Sequence, residues 1–133
     1  MAATPIEAMI EHLKAFETLD DAVFARSLAY PFTHLYPDGD TNRWNEPGDV
    51  SITRDLQKFG LLRETYGRIT LDSCDLVMDL PRLKVFHITA TRYATGTATM
   101  TSRAEAVWAV LEEAGEWKIK ARIGAGHLPL MLG

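Results

Sequence analysis

From Tyr66 onward the apolar residues switch from helical spacing to strict alternation, and four successive runs keep that period: RITLDSCDLVMDL, KVFHITATRYATG, MTSRAEAVWAVLEEA and EWKIKARIGAG. A period of two sets one side of each run against a core and the other away from it. Only Leu80-Pro81-Arg82, Gly96 and Glu113-Ala114-Gly115 separate the runs. Connections this short join antiparallel neighbours, because a parallel pair needs a crossover of a dozen residues or more. The second half of the chain is therefore a long-stranded antiparallel sheet, and the first half has to supply what covers one of its faces.

That first half reads as helices with one short strand. Thr4-Pro5-Ile6-Glu7 is a helix start: Thr4 caps, Pro5 suits the first helical position and Glu7 completes a capping box. Ile6, Met9, Ile10, Leu13 and Phe16 then recur on one face, with His12 on the polar side and expected in solvent. Asp20 or Asp21 restarts the helix, Val23, Phe24, Ser27 and Leu28 line its inner side, and Tyr30-Pro31 ends it. Phe32, His34 and Tyr36 alternate with Thr33 and Leu35 as a short strand, and Pro37-Asp38-Gly39-Asp40 is a turn. A third helix begins around Glu46-Pro47-Gly48-Asp49, faces Val50, Ile52, Leu56 and Phe59 inward, and fades near Gly60 or Leu62. Helices followed by a long antiparallel sheet make an α+β fold. The expected architecture is one domain, residues 1–133, in which a curved antiparallel sheet wraps over the N-terminal helices as a cone lined by alternate strand residues.

Bulk properties narrow the function. The net charge of −4 is mild and the basic residues are scattered, which argues against nucleic acid and anionic membranes. No apolar run approaches the roughly 18 residues of a membrane span, and MAATPIEAMIEHLK does not read as a signal peptide. The single cysteine, Cys74, permits no internal disulfide and points to a reducing, cytoplasmic setting. The four histidines show no close ligand pairing, so no metal is expected. With no glycine-rich phosphate loop ahead of a helix, no cofactor is expected either.

The segments AFETLDDAVFARSLAYPFTHL and TSRAEAVWAVLEEAGEWKIKARIGAGHLP carry a resemblance to the nuclear-transport-factor-2-like superfamily, in its SnoaL-like and ketosteroid-isomerase-like branch. The resemblance spans nearly the whole chain. It implies the cone, frequent homodimers packed through the outer sheet face, and either enzymes (isomerases, dehydratases, cyclases, epoxide hydrolases) or proteins without chemistry. Steroid-isomerase chemistry needs a general-base aspartate and an oxyanion hole of a tyrosine with a protonated aspartic acid. The tyrosine's place falls on Leu13, the base's on Tyr36 and the second acid's on Glu105 or Ala106. Leucine cannot donate a hydrogen bond and a neutral phenol is a poor base near neutrality, so that reaction is not expected. The epoxide-hydrolase pattern of an arginine two positions from an acid is matched by Arg103-Ala104-Glu105, with Glu in place of Asp.

The candidate catalytic residues are accordingly His34, whose ordinary pKa of about 6.5 suits acid–base work, Tyr36, and the pair Arg103 and Glu105. Each has a plainer alternative: His34 as a ring bonded to a backbone carbonyl, and Arg103–Glu105 as an ion pair on the sheet surface. Tyr30, Phe32, Trp44, Phe59, His87, Tyr93 and Trp108 are candidate pocket-lining residues. His87 shares a face with Val85, Thr89, Thr91 and Tyr93, and that face is either the cone's interior or the dimer surface. Trp44 packs on the sheet edge or caps the pocket. His127 lies near the end of the chain, with a surface role expected. Two functions stay open: a cofactor-free isomerase, dehydratase, cyclase or hydrolase for a small apolar molecule, and a dimeric binding or scaffold protein without turnover.

Overall fold

The computed structural model describes residues 2–58, 66–94 and 100–128. Phe59 lies outside them, and the side chain of His127 is likewise not described. Helix α1 spans Pro5–Thr18 and α2 Asp21–Arg26. Strands β1 (Leu28–Leu35) and β2 (Thr41–Trp44) form a hairpin, followed by a short 3-10 turn at Pro47–Asp49 and helix α3 (Ile52–Lys58). The long strands are β3 (Tyr66–Asp79), β4 (Leu83–Ala94), β5 (Met100–Glu113) and β6 (Glu116–Leu128).

The start of α1 is built as its sequence suggests. Thr4 Oγ1 accepts from the Glu7 amide at 3.2 Å, and Glu7 reaches back to the Ala3 amide at 2.9 Å. Asp20 caps α2 through the amides of Ala22 and Val23. The inner side of α1 is rotated from the expected one. Met9, Leu13 and Phe16 are buried, but Ile6 and Ile10 are exposed at 41% and 39%, while His12 is fully buried at 0%. His12 is thus an interior residue, because α2 and the sheet cover the flank of α1 that carries Ala8, His12 and Ala15.

The six strands form one curled sheet in the order β2-β1-β6-β5-β4-β3. The four long strands pair antiparallel as the short connections require. The sheet as a whole is mixed, since β1 lies parallel to β6. Helix α2 ends at Arg26, and the chain is already extended at Leu28. Tyr30-Pro31 therefore sits inside β1, joined by a cis peptide bond, and does not terminate the helix. Trp44, read as part of a polar loop, ends β2 opposite Phe32.

Alternation assigns the faces. Phe86, Ile88, Ala90 and Arg92 of β4, with Ala104, Ala106, Trp108 and Val110 of β5, are buried toward the helices. On β6 the alternation breaks. Val110 pairs with Ile119, but Ala109 pairs with Ala121, so Lys120 is an extra residue and the strand bulges there. Trp117 and Ile119 face inward, and beyond the bulge the parity flips: Arg122 is 2% exposed and Ile123 50%. One inserted residue thus turns an arginine into the core.

Candidate functional site

Five buried polar side chains, Asp55, Tyr36, Arg122, His34 and His12, lie inside the apolar shell of the sheet and helices. Asp55, on α3, is 1% exposed. Its Oδ1 accepts from the Tyr36 hydroxyl at 2.7 Å, and its Oδ2 accepts from Nη2 of Arg122 at 2.7 Å. Asp55 is placed there because the Asp21 carboxylate of α2 receives the Ile52 amide at 2.9 Å, fixing the first turn of α3. A chain of contacts therefore runs from Tyr36 through Asp55 to Arg122.

The guanidinium of Arg122 is enclosed by aromatic faces. Its central carbon lies 5.1 Å from the Phe32 ring centre, 5.4 Å from Phe16 and 5.8 Å from Phe24. Such contacts favour a cation that has left water. Phe32 stacks on Trp44 with ring centres 5.5 Å apart.

His34 is 0% exposed, and its ring lies 4.3 Å from that of Tyr36. His12 packs against Phe24 at 4.5 Å and edge-on against Trp108 at 5.1 Å, with its Nδ1 2.7 Å from Ser27 Oγ. Burial pushes the His34 pKa down to about 2, aided by the positive charge of Arg122 and opposed by a contact with the Gly124 backbone. His12 is held well below its ordinary value by burial, then by Arg122 and then by His34. Both imidazoles are neutral at physiological pH. Burial, followed by the Asp55 charge, pushes the Tyr36 phenol well above its usual value, so it stays protonated. The cluster holds one carboxylate and one guanidinium among three neutral hydrogen-bonding groups.

Of the residues singled out from sequence, Phe32, His34, Tyr36, Trp44 and Trp108 come together here, all buried. Tyr30 stands apart, half-buried, donating its hydroxyl to the Ala25 carbonyl at 2.7 Å. The sheet's outer side carries Arg103, Glu105, His87 and Tyr93. His87 Nε2 is 2.8 Å from Glu105 Oε2, and Asp75 pairs with His87 across the neighbouring strand. Arg103 and Glu105 therefore do not meet His34 and Tyr36, because odd positions of β5 point away from the core. Cys74 has its thiol pKa raised by burial and then by Asp75, which removes it as a thiolate nucleophile. Among the described residues no group of three or more His, Cys, Asp and Glu could hold a metal, and no helix is long and apolar enough to cross a membrane.

Sequence reading missed Asp55, Arg122 and the burial of His12. Asp55 did carry a signal: it stands three residues after Ile52 and four before Phe59, on the inner stripe of its helix. Arg122 carried none, since a bulge leaves no mark in an alternating run.

No protein-family model matches the sequence, and no curated protein matches it. Solved structures do. A ketosteroid isomerase-like protein from Erwinia carotovora atroseptica is 14% identical with a TM-score of 0.63, over 96% of this chain and 96% of that one. ActVI-ORFA from Streptomyces coelicolor is 12% identical with a TM-score of 0.64, over 92% of each chain. An NTF2-like protein from Cytophaga hutchinsonii is 11% identical with a TM-score of 0.63, over 89% of this chain and 91% of that one. The likeness shows the fold: nuclear-transport-factor-2-like, also called cystatin-like.

Proposed function

We propose that the chain is a small cofactor-free acid–base enzyme of the isomerase, dehydratase, cyclase or hydrolase kind, acting on a small, largely apolar molecule held in the cone. The observation that supports this most is the buried set Tyr36–Asp55–Arg122 with two neutral imidazoles. Burying an ion pair is costly compared with an apolar core of the same volume. Ionisable groups gathered this way in one interior are a mark of functional sites.

The roles follow from protonation state. With its pKa so low, His34 serves as a neutral hydrogen-bonding group that polarises a carbonyl or hydroxyl, since its conjugate acid is too strong to persist. Asp55 is the basic end. A substrate proton passes to the Tyr36 oxygen as the phenolic proton passes to Asp55, so no phenolate builds up. Arg122 offsets negative charge developing on the substrate. Arg103 and Glu105 have no part in this proposal, because they occupy the outer face.

That outer face is the proposed homodimer surface. Leu35 and Ile123 pair across β1 and β6 at 38% and 50% exposure, and Val107 pairs with Ile123 on the next strand. The single cysteine suits a reducing, cytoplasmic setting. The second reading, a dimeric scaffold without turnover, uses the same outer patch and gives the buried cluster a purely structural role.

Turnover of a panel of small ketones, enones, epoxides and hydroxy-aromatics, followed by product mass, separates the two. His34→Gln is expected to lower kcat/KM by about 100-fold or more while leaving the circular dichroism spectrum unchanged. No turnover of any panel member by the wild-type protein supports the scaffold instead.

A further inference from the structure

We propose that His12 is the hydrogen-bond acceptor that selects the cone's occupant, and that this occupant is a small planar ring bearing a free hydroxyl, a phenol or an enol. The inference rests on the reading that the cone takes a small molecule.

The tautomer of His12 follows from its partner. Ser27 has a single hydroxyl hydrogen, which goes to the Phe24 carbonyl at 2.6 Å. The Ser27 oxygen can then only accept from His12 Nδ1 at 2.7 Å. His12 therefore carries its proton on Nδ1, and Nε2 presents a bare lone pair. Nε2 is fully buried and has no hydrogen-bond partner among the described residues. Buried acceptors are rarely left unpaired, because each loses its water for nothing in return. Burial and the positive charge of Arg122 keep a second proton off the ring, so the acceptor stays an acceptor.

The surroundings restrict what can answer it. Phe16 and Trp108 stand edge-on to the imidazole at 5.4 and 5.1 Å, and Phe24 lies against it at 4.5 Å. Arg122 packs over the same Phe16 and Phe24 rings. An ammonium donor is disfavoured beside a guanidinium. A carboxylate or an ether lacks the hydrogen that Nε2 needs. A hydroxyl on a flat ring satisfies the lone pair, stacks on aromatic walls, and puts its polarised oxygen in the field of Arg122.

Phenol and anisole differ only in that hydrogen and a methyl group, and are the probes to use. Their binding to the full-length protein is followed by NMR, reading the Trp108 indole signal and the imidazole nitrogens of His12. Phenol is expected to bind at least about tenfold tighter than anisole and to shift the Nε2 resonance. His12→Phe should make the two bind alike. Should that variant fail to fold, Ser27→Ala keeps the imidazole but releases its tautomer, and the preference should shrink. Equal perturbation of Trp108 by both probes in the wild-type protein overturns the role of His12 while leaving the cone a ligand site. A preference for phenol that survives both substitutions overturns it too. If neither probe moves Trp108, the small-molecule reading fails and takes the inference with it.

Discussion

Asp55→Asn is expected to lower the unfolding free energy by about 3–5 kcal/mol, the usual cost of breaking a buried ion pair from one side. For a domain whose stability is on the order of 5–15 kcal/mol, that is about a fifth of the total or more. The cause is the stranded partner. Arg122 is 2% exposed and would stay enclosed by Phe16, Phe24 and Phe32 without the Asp55 carboxylate. Removing the whole polar set is a different matter. The triple substitution Tyr36→Phe, Asp55→Leu, Arg122→Met takes out donor, acceptor and cation together, and is expected to unfold within about 2 kcal/mol of the wild-type protein. Urea denaturation at neutral pH measures both. A single variant as stable as wild type would mean that water or another charge reaches the pair. A triple variant far below wild type would mean that the ion pair itself holds the sheet to α3.

Acidification below about pH 6.5 should destabilise the protein through its two buried histidines. The pKa of His12 and His34 is lower in the folded chain than the ordinary 6.5, so the unfolded chain binds more protons below that pH. Stability from these two residues is fully present above about pH 6.5 and falls as the pH drops, for His34 down to about pH 2. Between pH 7 and pH 5 His34 should cost roughly 2 kcal/mol, and His12 adds to the loss in the same direction. The charges facing them are those of the Arg122–Asp55 pair. Urea midpoints at pH 7 and pH 5 give the slope, and His34→Gln should flatten it. A midpoint unchanged over that range would contradict the burial of both imidazoles as neutral groups.

The legibility of this chain follows from its periods. Runs of period two over a dozen residues made β3 to β6 plain, and Thr4-Pro5 and Asp20 marked helix starts through hydrogen bonds that the structure reproduces. Tyr30-Pro31 was misread because a proline after an apparent helix looks like its end, whereas here it lies within β1, which has already begun at Leu28. His12 was misplaced because histidine counts as polar on a helical wheel, and nothing local records that Ser27 waits to bond it. The centre of the candidate site was hidden for a related reason. Asp55 and Arg122 look like surface charges until they are brought together from 67 residues apart, and only a bulge at Lys120 brings Arg122 inward. His34 and Tyr36, by contrast, could be picked out because they alternate with exposed residues on a short strand.

The central claim is that the polar cluster inside the cone is a small-molecule site and not only an ionic core. Native mass spectrometry tests it most directly, on protein equilibrated with a mixture of small carbonyl and hydroxy-aromatic compounds. One adduct per chain is expected on the wild-type protein, carried by a dimer, and none on the triple variant that replaces Tyr36, Asp55 and Arg122 with apolar side chains. Bare wild-type protein, or an adduct that persists on the triple variant, would contradict the claim.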